Sequence, residues 1–535
     1  MKTQMTKIGG CLLLAATLFL ATDGPAFAAT VTVQNGNDSG AGSLRDAITN
    51  ANSGDTIKFD PALNGQTIQL SSGQIVILKS ITLQGPGANV LTVKNIAGAG
   101  QFNAIFRVAS GVTAASISGL TITGGSAEFG GGIFNDGALA LANCTISANS
   151  SVWGGGIWNS NGATVRLTGC TVSANTTSPS GGTDSFGGGI WNDKGGAATL
   201  TNCTISGNSA TTAGGAIGTN GTVTLTNCTI SANSASAGGG IATNGTVTIG
   251  NTIVAGNAAN SGPDVLVGDG SVSSQGSNLI GKTDGSTGWV GGDITGTIAA
   301  PRDPKLASLA DNGGPTQTMA LLPGSPAIDK GDDSVLATVT TDQRGTGFPR
   351  KSGFRVDIGA YEVQSIRWAK LALVTSMTNY APSLKTPSDA GKFAAAIQEV
   401  KDSVDASLWL LDGNHVVVKT GKKVFHEEKE AVSLLQSLLR KTTDSATIAK
   451  LKGFIDTMED ADRQLATIAI ADGSVVPHDQ TKIDAAIREF KEGDADRAAG
   501  KFAEAIEDYS DAWKKAQQAT GGRDADDDDD RERGR

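Results

Sequence analysis

The sequence predicts a mainly β protein in which a repetitive solenoid is followed by a smaller α-helical domain. Five near copies of one segment begin at Leu139, Val165, Ala198, Val223 and Val247, and the fourth reads VTLTNCTISANSA. Their steps are 24, 26, 33, 25 and 23 residues, measured at the aligned core positions Leu120, Cys144, Cys170, Cys203, Cys228 and Asn251. Such a period is typical of one structural unit stacked on itself. Apolar residues alternate two by two within each copy, which is the strand period.

The first predicted element is an export signal at residues 1–28. Lys2 and Lys7 precede an apolar run from Cys11 to Ala21, and Ala26-Phe27-Ala28 forms a small-x-small cleavage site. The run is too short to be a stable membrane anchor. We therefore expect an exported protein, extracellular or on a bacterial cell surface or outer membrane, whose mature chain has no transmembrane segment.

The solenoid is predicted to span residues 29–300, with a helical cap near its start. Ser43 and Asp46 resemble a capping box. One helical face that could cover the open first turn is formed by Leu44, Ala47, Ile48 and Ala51. Residues 301–363 lose the period but keep Gly, Pro and Asp turns, and we expect them to form a β-rich terminal module that caps the other end.

Beyond Glu362 the pattern becomes helical and charged. Residues 366–535 carry 56 of the 94 charged side chains. We predict a linker at 364–385, a helical domain at 386–519 and a disordered acidic tail at 520–535. Near its end this region resembles the middle of a tetratricopeptide hairpin, at Gly500-Lys501-Phe502, Ala505, Tyr509 and Ala512.

Repeated cysteines and asparagines predict structural ladders. Free stacked thiols, rather than disulfides, are expected because side chains on successive turns point in parallel directions; the residues are Cys144, Cys170, Cys203 and Cys228. An amide ladder that satisfies buried turn backbone is expected from Asn149, Asn175, Asn208, Asn233 and Asn257. A third ladder is expected from Asn135, Asn159 and Asn192.

From Ser43 to Glu362 the chain resembles the secreted right-handed parallel β-helix proteins of bacteria. SLRDAITNANSGDTIKFD is similar to their N-terminal segment, and the GGGI and NCTIS copies resemble turns of polymorphic outer-membrane proteins. SNLIG at Ser277, the stretch from Asp303, DQRG at Asp342 and VDIGAYE at Val356 resemble a terminal module of surface proteins, of the choice-of-anchor type. The resemblance implies a fold and a location at the surface, and it implies no reaction.

The same fold hosts pectate lyases and polygalacturonases, so catalysis is the first alternative. Those reactions need clustered carboxylates, a basic side chain or a calcium site. Between Arg107 and Asp264 the charged residues are only Glu128, Asp136, Arg166, Asp184, Asp193 and Lys194. Asp136 and Asp193 share a repeat position, which separates them by about 10 Å. The first histidine is His415, and His426 begins a motif that Glu430 breaks where a zinc site needs histidine. We expect no enzyme, no metal and no cofactor.

Aromatic residues form the candidate binding site. If the isoleucine before each ring points inward, Phe134, Trp158 and Trp191 point outward on three consecutive turns. Asp136 and Asp193 flank them and offer acceptors to sugar hydroxyls. We expect an exposed file of rings that suits a neutral glycan. The alternative is that the rings stack on one another and shield the turns.

The sequence therefore predicts an exported, non-enzymatic protein with an adhesion, binding or scaffold role. Neutral glycans or cell-surface and matrix components are the expected partners. The net charge of −10 disfavours nucleic acid. A carbohydrate-active enzyme is one alternative, and docking through the helical C-terminal domain is the other.

Overall fold

The computed structural model describes residues 28–520, except 97–102, 180–183, 323, 353–354, 385, 411–412 and 476–478. The predicted export signal, apart from Ala28, and the acidic tail, apart from Thr520, lie outside the described residues. The structure confirms the predicted fold class. A parallel β-solenoid of about 9 turns is followed by a region of several helices.

Four parallel sheets run along the solenoid in the described part of the chain, and each turn passes from sheet 1 to sheet 2 and on to sheet 3. Sheet 1 contains β1 (Thr30–Val33), β2 (Thr56–Phe59), β5 (Thr82–Gln84), β8 (Ala115–Ser118), β12 (Ala138–Ala142), β16 (Thr164–Thr168), β20 (Ala197–Thr201), β24 (Thr222–Thr226), β27 (Thr246–Gly250) and β30 (Ser271–Ser274). Sheet 2 contains β3 (Thr67–Leu70), β6 (Thr92–Asn95), β9 (Thr121–Thr123), β13 (Thr145–Ser147), β17 (Thr171–Ser173), β21 (Thr204–Ser206), β25 (Thr229–Ser231), β28 (Ile253–Val254), β31 (Leu279–Ile280) and β32 (Ile294–Thr295).

Sheets 3 and 4 complete each turn. Sheet 3 contains β4 (Ile75–Ile77), β7 (Phe106–Val108), β11 (Ile133–Asn135), β15 (Ile157–Asn159), β19 (Ile190–Asn192), β23 (Ile217–Thr219), β26 (Ile241–Thr243) and β29 (Val265–Val267). The short sheet 4 inserts between sheets 2 and 3 and contains β10 (Ser126–Phe129), β14 (Ser150–Trp153), β18 (Thr176–Thr177) and β22 (Ser209–Ala210).

The core forms because alternate side chains of every strand point inward. In β24, Val223 and Leu225 are buried, whereas the three threonines lie on the outer face. Val223 pairs in register with Val247 of the next turn, so like side chains stack. Burial of each such side chain stabilises the fold by about 1.5–3 kcal/mol.

One predicted alignment is wrong by a single residue. Thr229 pairs with Ile253, which places Thr252, and not Asn251, beside Cys228. Asn251 corresponds instead to Asn227, and both adopt the left-handed backbone conformation, with φ of 49° and 51°. Asparagine tolerates that conformation better than most residues, so it marks the turn before the strand.

The N-terminal helix α1 (Leu44–Asn50) covers the first turn, where it packs against β1 and β4. Ser43 Oγ accepts a hydrogen bond from Asp46 N at 3.2 Å, as the capping pattern predicts. Leu44, Ala47 and Ile48 are buried beneath the helix. The helix therefore shields the edge of β1 from other strands.

Residues 303–362, here called the lateral module, do not form the expected β-rich cap. Their described residues contain three isolated antiparallel bridges and the 3₁₀ helix Asp333–Ala337. The module lies along the outer face of sheet 2, where Thr204 Oγ1 donates to Gln343 Oε1 at 2.6 Å. Ala360 N donates to Thr229 Oγ1 at 3.0 Å. Leu321 and Ile358 cover Ile253. The chain thus folds back along the side of the solenoid.

The helical domain consists of α2 (Ile366–Tyr380), α3 (Pro387–Ser403), α4 (Lys422–Leu439), α5 (Ser445–Val475), α6 (Gln480–Ala498) and α7 (Phe502–Ala519). The predicted linker at 364–385 is wrong because α2 occupies most of it. Lys370 of α2 is fully buried and lies 2.6 Å from a Glu428 carboxylate oxygen and 2.7 Å from Asp462 Oδ1, which ties α2 to α4 and α5. No described helix combines the length and apolar character that are needed to cross a membrane.

Candidate functional site

The candidate site is an aromatic surface on the outside of the solenoid, where sheets 4 and 3 meet. Three successive turns carry the pattern aromatic, three glycines, isoleucine, aromatic: FGGGIF from Phe129, WGGGIW from Trp153 and FGGGIW from Phe186. The first glycine of each has a positive φ, which is 63° at Gly154. A Cβ there would lie 2.3 Å from the Ile157 carbonyl oxygen. Only glycine permits this tight bend, which brings the two rings of each turn together.

The rings interlock in two files along the solenoid axis. The aromatic cluster is defined by Phe129, Phe134, Trp153, Trp158, Phe186 and Trp191. The Trp158 ring centroid lies 4.6 Å from that of Phe129 and 5.9 Å from that of Trp153, both edge-on. The Trp191 centroid lies 5.3 Å from the centroids of Trp153 and Phe186. Edge-on and tilted contacts of this kind are worth about 0.5–1.5 kcal/mol each beyond burial.

The structure corrects the expected flat file of three exposed rings. Phe134 and Trp158 face outward and are half-buried, but Trp191 is only 6% exposed. Trp191 pairs in register with Gly218, and a Cβ on Gly218 would lie 2.7 Å from its ring. The ring therefore packs directly on the backbone of the next turn. Its Nε1 has no hydrogen-bond partner among the described residues.

The second file was missed at the sequence level. It consists of Phe129, Trp153 and Phe186, which stand five residues before the predicted rings. The glycine triplet between the two aromatic positions is the signal that could have revealed it, because the bend returns the chain onto the same face. The rings therefore form two files side by side, and not the single file that the sequence predicts.

The two aspartates at the flanks of the cluster do not form a common site. Asp136 Oδ2 accepts a hydrogen bond from Arg107 at 2.9 Å. The Arg107 guanidinium also lies 4.8 Å from the Phe134 ring centroid, a cation–π contact. Asp193 Oδ1 accepts from the neighbouring Lys194 N at 2.7 Å, within its own turn. Each carboxylate thus has a local partner, and neither is aimed at the other.

The asparagines that the repeat singles out form continuous ladders inside the solenoid. Each Nδ2 donates to the Oδ1 of the next turn at 2.9–3.0 Å along Asn149, Asn175, Asn208, Asn233 and Asn257. The ladder ends on Asp264 Oδ1 at 2.9 Å, and burial raises the pKa of that carboxyl. A second ladder runs from Asn135 to Asn159 at 2.7 Å, to Asn192 at 2.8 Å and then to Thr219 Oγ1 at 3.1 Å.

The four cysteines of the repeat are buried and free of disulfides. They stack on successive turns, where Cys144 N approaches Cys170 Sγ at 3.5 Å. Burial raises the pKa of the Cys203 thiol well above its usual range. All four thiols are sealed from solvent and from other reactants, so these residues serve packing.

A shallow groove of about 600 Å³ lies on the outer face of sheet 1, over β8, β12 and β16. Its floor is made by the small side chains Ala138 and Ala140. Arg166 is the one charged residue among those described in its lining. Hydrolysis of a glycosidic bond by paired carboxylates needs two acidic side chains of the protein beside that bond, and the described lining of this groove contains none.

Residues 64–259 match the family model described as the right handed beta helix region. The match covers the regular turns and, together with the solenoid of the structure, supports a right-handed β-helix repeat protein. This family includes polysaccharide-degrading enzymes as well as proteins without enzymatic activity, so the match decides the fold and not a reaction. Comparisons with curated proteins and with solved structures gave no match.

Proposed function

We propose that this right-handed β-helix repeat protein is an exported, non-enzymatic surface or extracellular protein that binds neutral glycans. The aromatic cluster is the observation that carries the proposal. Five of its six rings are half-exposed on the outside of a solenoid that has few charges. Aromatic faces and edges bury the apolar faces of sugars, while a surface of low charge attracts ionic ligands only weakly.

A glycan that runs along the solenoid axis would meet a pair of rings on each of the first two turns and the Phe186 ring on the third. Neighbouring turns are about 4.8 Å apart, so Phe134 and Trp158 lie close enough to act on one chain. Asp136, held by Arg107, presents a fixed carboxylate beside the first ring. The glycine bends hold the rings on rigid backbone, which lowers the entropy lost on binding.

Export and surface location rest on residues 1–28 and on the resemblance of the segments from Ser277 to Glu362 to a surface-protein module. The absence of carboxylates from the described lining of the sheet 1 groove supports a binding role over catalysis. The enzymatic alternative predicts turnover of polygalacturonate, alginate or another acidic glycan, with or without Ca²⁺. Robust cleavage of any of these by the purified protein would overturn the non-enzymatic part of the proposal.

The binding site is tested with one variant and one matched control. Trp158→Ala removes a half-exposed ring of the cluster, and Trp368→Ala removes a half-exposed ring of the helical domain. Pull-down with a panel of neutral glycans should identify a ligand for the wild type. Binding of that ligand should fall about tenfold in Trp158→Ala, which corresponds to about 1.4 kcal/mol, and stay unchanged in Trp368→Ala. Equal binding by all three proteins would show that the cluster is only structural.

Docking through the helical domain is the second candidate function. The antiparallel pair α6 and α7 packs in the manner of a tetratricopeptide hairpin, with Tyr509 buried against Gly493. Deletion of residues 366–535 separates the two candidates. Retention of the protein at the cell surface should survive the deletion if the β-helix binds, and it should vanish if the helices dock.

A further inference from the structure

The outer face of sheet 1 carries a second regular surface, which is made of threonines. Twelve outward positions of β16, β20, β24 and β27 are occupied by nine threonines together with Arg166, Ala197 and Gly250. The threonine grid is defined by Thr164, Thr168, Thr199, Thr201, Thr222, Thr224, Thr226, Thr246 and Thr248. Two serines of β30, Ser271 and Ser273, continue it for one more turn.

The grid is periodic in two directions. The register aligns its members in rows, so that Thr199, Thr224 and Thr248 follow one another across strands. Rows of this kind repeat at about 4.8 Å across strands and at about 6.6 Å along a strand. The face is rigid because the intervening side chains, such as Leu200 and Leu225, are fully buried in the core.

The hydroxyls of the grid have no partner within the described part of the chain. A second threonine column, on sheet 2, is engaged by the lateral module on three turns. There Thr171 Oγ1 donates to Gln317 O at 2.6 Å, while Thr204 and Thr229 bond to Gln343 and Ala360. The same repeat thus builds two threonine surfaces, of which one is covered on these turns by the chain itself and the other faces solvent.

We infer that the threonine grid binds ice. Each threonine offers a hydroxyl that hydrogen-bonds water beside a methyl group that does not, so a rigid grid holds water molecules at fixed, repeating positions. The outer face of the four grid strands carries one charge, on Arg166 of β16, so it suits an uncharged lattice. Its strands present no aromatic ring, which a sugar chain would favour. Contacts that are individually weak add up because the surface is organised before it binds.

This inference is independent of glycan binding, since the aromatic cluster lies on sheets 3 and 4. It predicts that the full-length protein slows ice recrystallisation and that the fluorescently labelled protein accumulates on a growing ice crystal. Thr224→Tyr at the centre of the grid and Thr246→Tyr at an exposed position should each disrupt the regular lattice. Each substitution should lower the inhibition of ice recrystallisation about tenfold, which corresponds to a loss of about 1.4 kcal/mol of contact free energy.

Matched controls make the experiment decisive. Ser118→Tyr places the same ring on the outer face of sheet 1, four strands from the centre of the grid, and Trp158→Ala alters the aromatic cluster. Both controls should retain the wild-type effect on ice, even though Trp158→Ala weakens glycan binding, and circular dichroism should show an intact β-helix in every variant. Two results would overturn the inference: a wild type without effect on ice, whether or not the grid binds crystalline cellulose, or grid variants as active on ice as the wild type.

Discussion

Replacing Asn208 by leucine tests the amide ladder at its centre. Asn208 Nδ2 donates to Val172 O and to Asn233 Oδ1, both at 2.9 Å. Its Oδ1 accepts from Asn175 N at 3.0 Å and from Asn175 Nδ2 at 2.9 Å. Leucine has a similar size, so no large cavity opens, but Val172 O and Asn175 N lose these partners in a dry interior. Asn175 Nδ2 keeps its second bond, to Ile146 O.

The expected cost follows from the backbone N–H of Asn175, which is left unsatisfied, because Val172 O stays in the parallel ladder between β17 and β21. One unsatisfied buried group costs about 1–3 kcal/mol, so Asn208→Leu should lower the free energy of unfolding of the solenoid by about 1–3 kcal/mol. Urea unfolding followed by β-sheet circular dichroism measures this change. Asn161→Leu, at an exposed position, is the control and should stay within about 0.5 kcal/mol of the wild type. A ladder variant as stable as this control would refute the role given to the amides.

Two further predictions concern stability. Trp191→Phe should lower the free energy of unfolding by less than about 1 kcal/mol, because it removes an indole N–H that has no partner among the described residues. Trp191→Ala should lower it by about 3–5 kcal/mol, because the whole ring is lost. Urea unfolding measures both changes, and equal losses would contradict the packing account. Burial raises the pKa of Glu459 to about 8 from 4.5, so its contribution to stability is present below about pH 4.5 and is lost as the pH rises through about 8. Glu459→Gln should remove this part of the pH dependence, and a constant stability difference between variant and wild type from about pH 5 to 8 would contradict it.

The solenoid is predictable because its determinants are local and repeated. Apolar alternation in segments such as Val223 to Ile230 places side chains inside, and the same pattern recurs every turn. The asparagine positions follow from the same repeat, since a buried amide at one turn needs an amide at the next. The acceptor at the end of the ladder, Asp264, is not part of the repeat, and no periodicity points to it.

The remaining features depend on contacts that are distant in sequence. Burial of Trp191 depends on Gly218, whose missing side chain opens a space in the following turn. The lateral module has no period, and its place is set by hydrogen bonds such as that between Gln343 and Thr204. Helix α2 has a weakly amphipathic sequence, and its place in the bundle depends on the burial of Lys370 between two carboxylates of other helices.

The central claim is that the aromatic cluster binds a neutral glycan, and tryptophan fluorescence tests it most directly. Three of the seven tryptophans lie in the cluster, so a bound glycan should change the emission in a saturable manner. Titration with the neutral glycan that the wild type retains should give a Kd about tenfold higher for Trp158→Ala and an unchanged Kd for Trp368→Ala. The same Kd for the wild type and Trp158→Ala, or no saturable response to any neutral glycan, would contradict the claim.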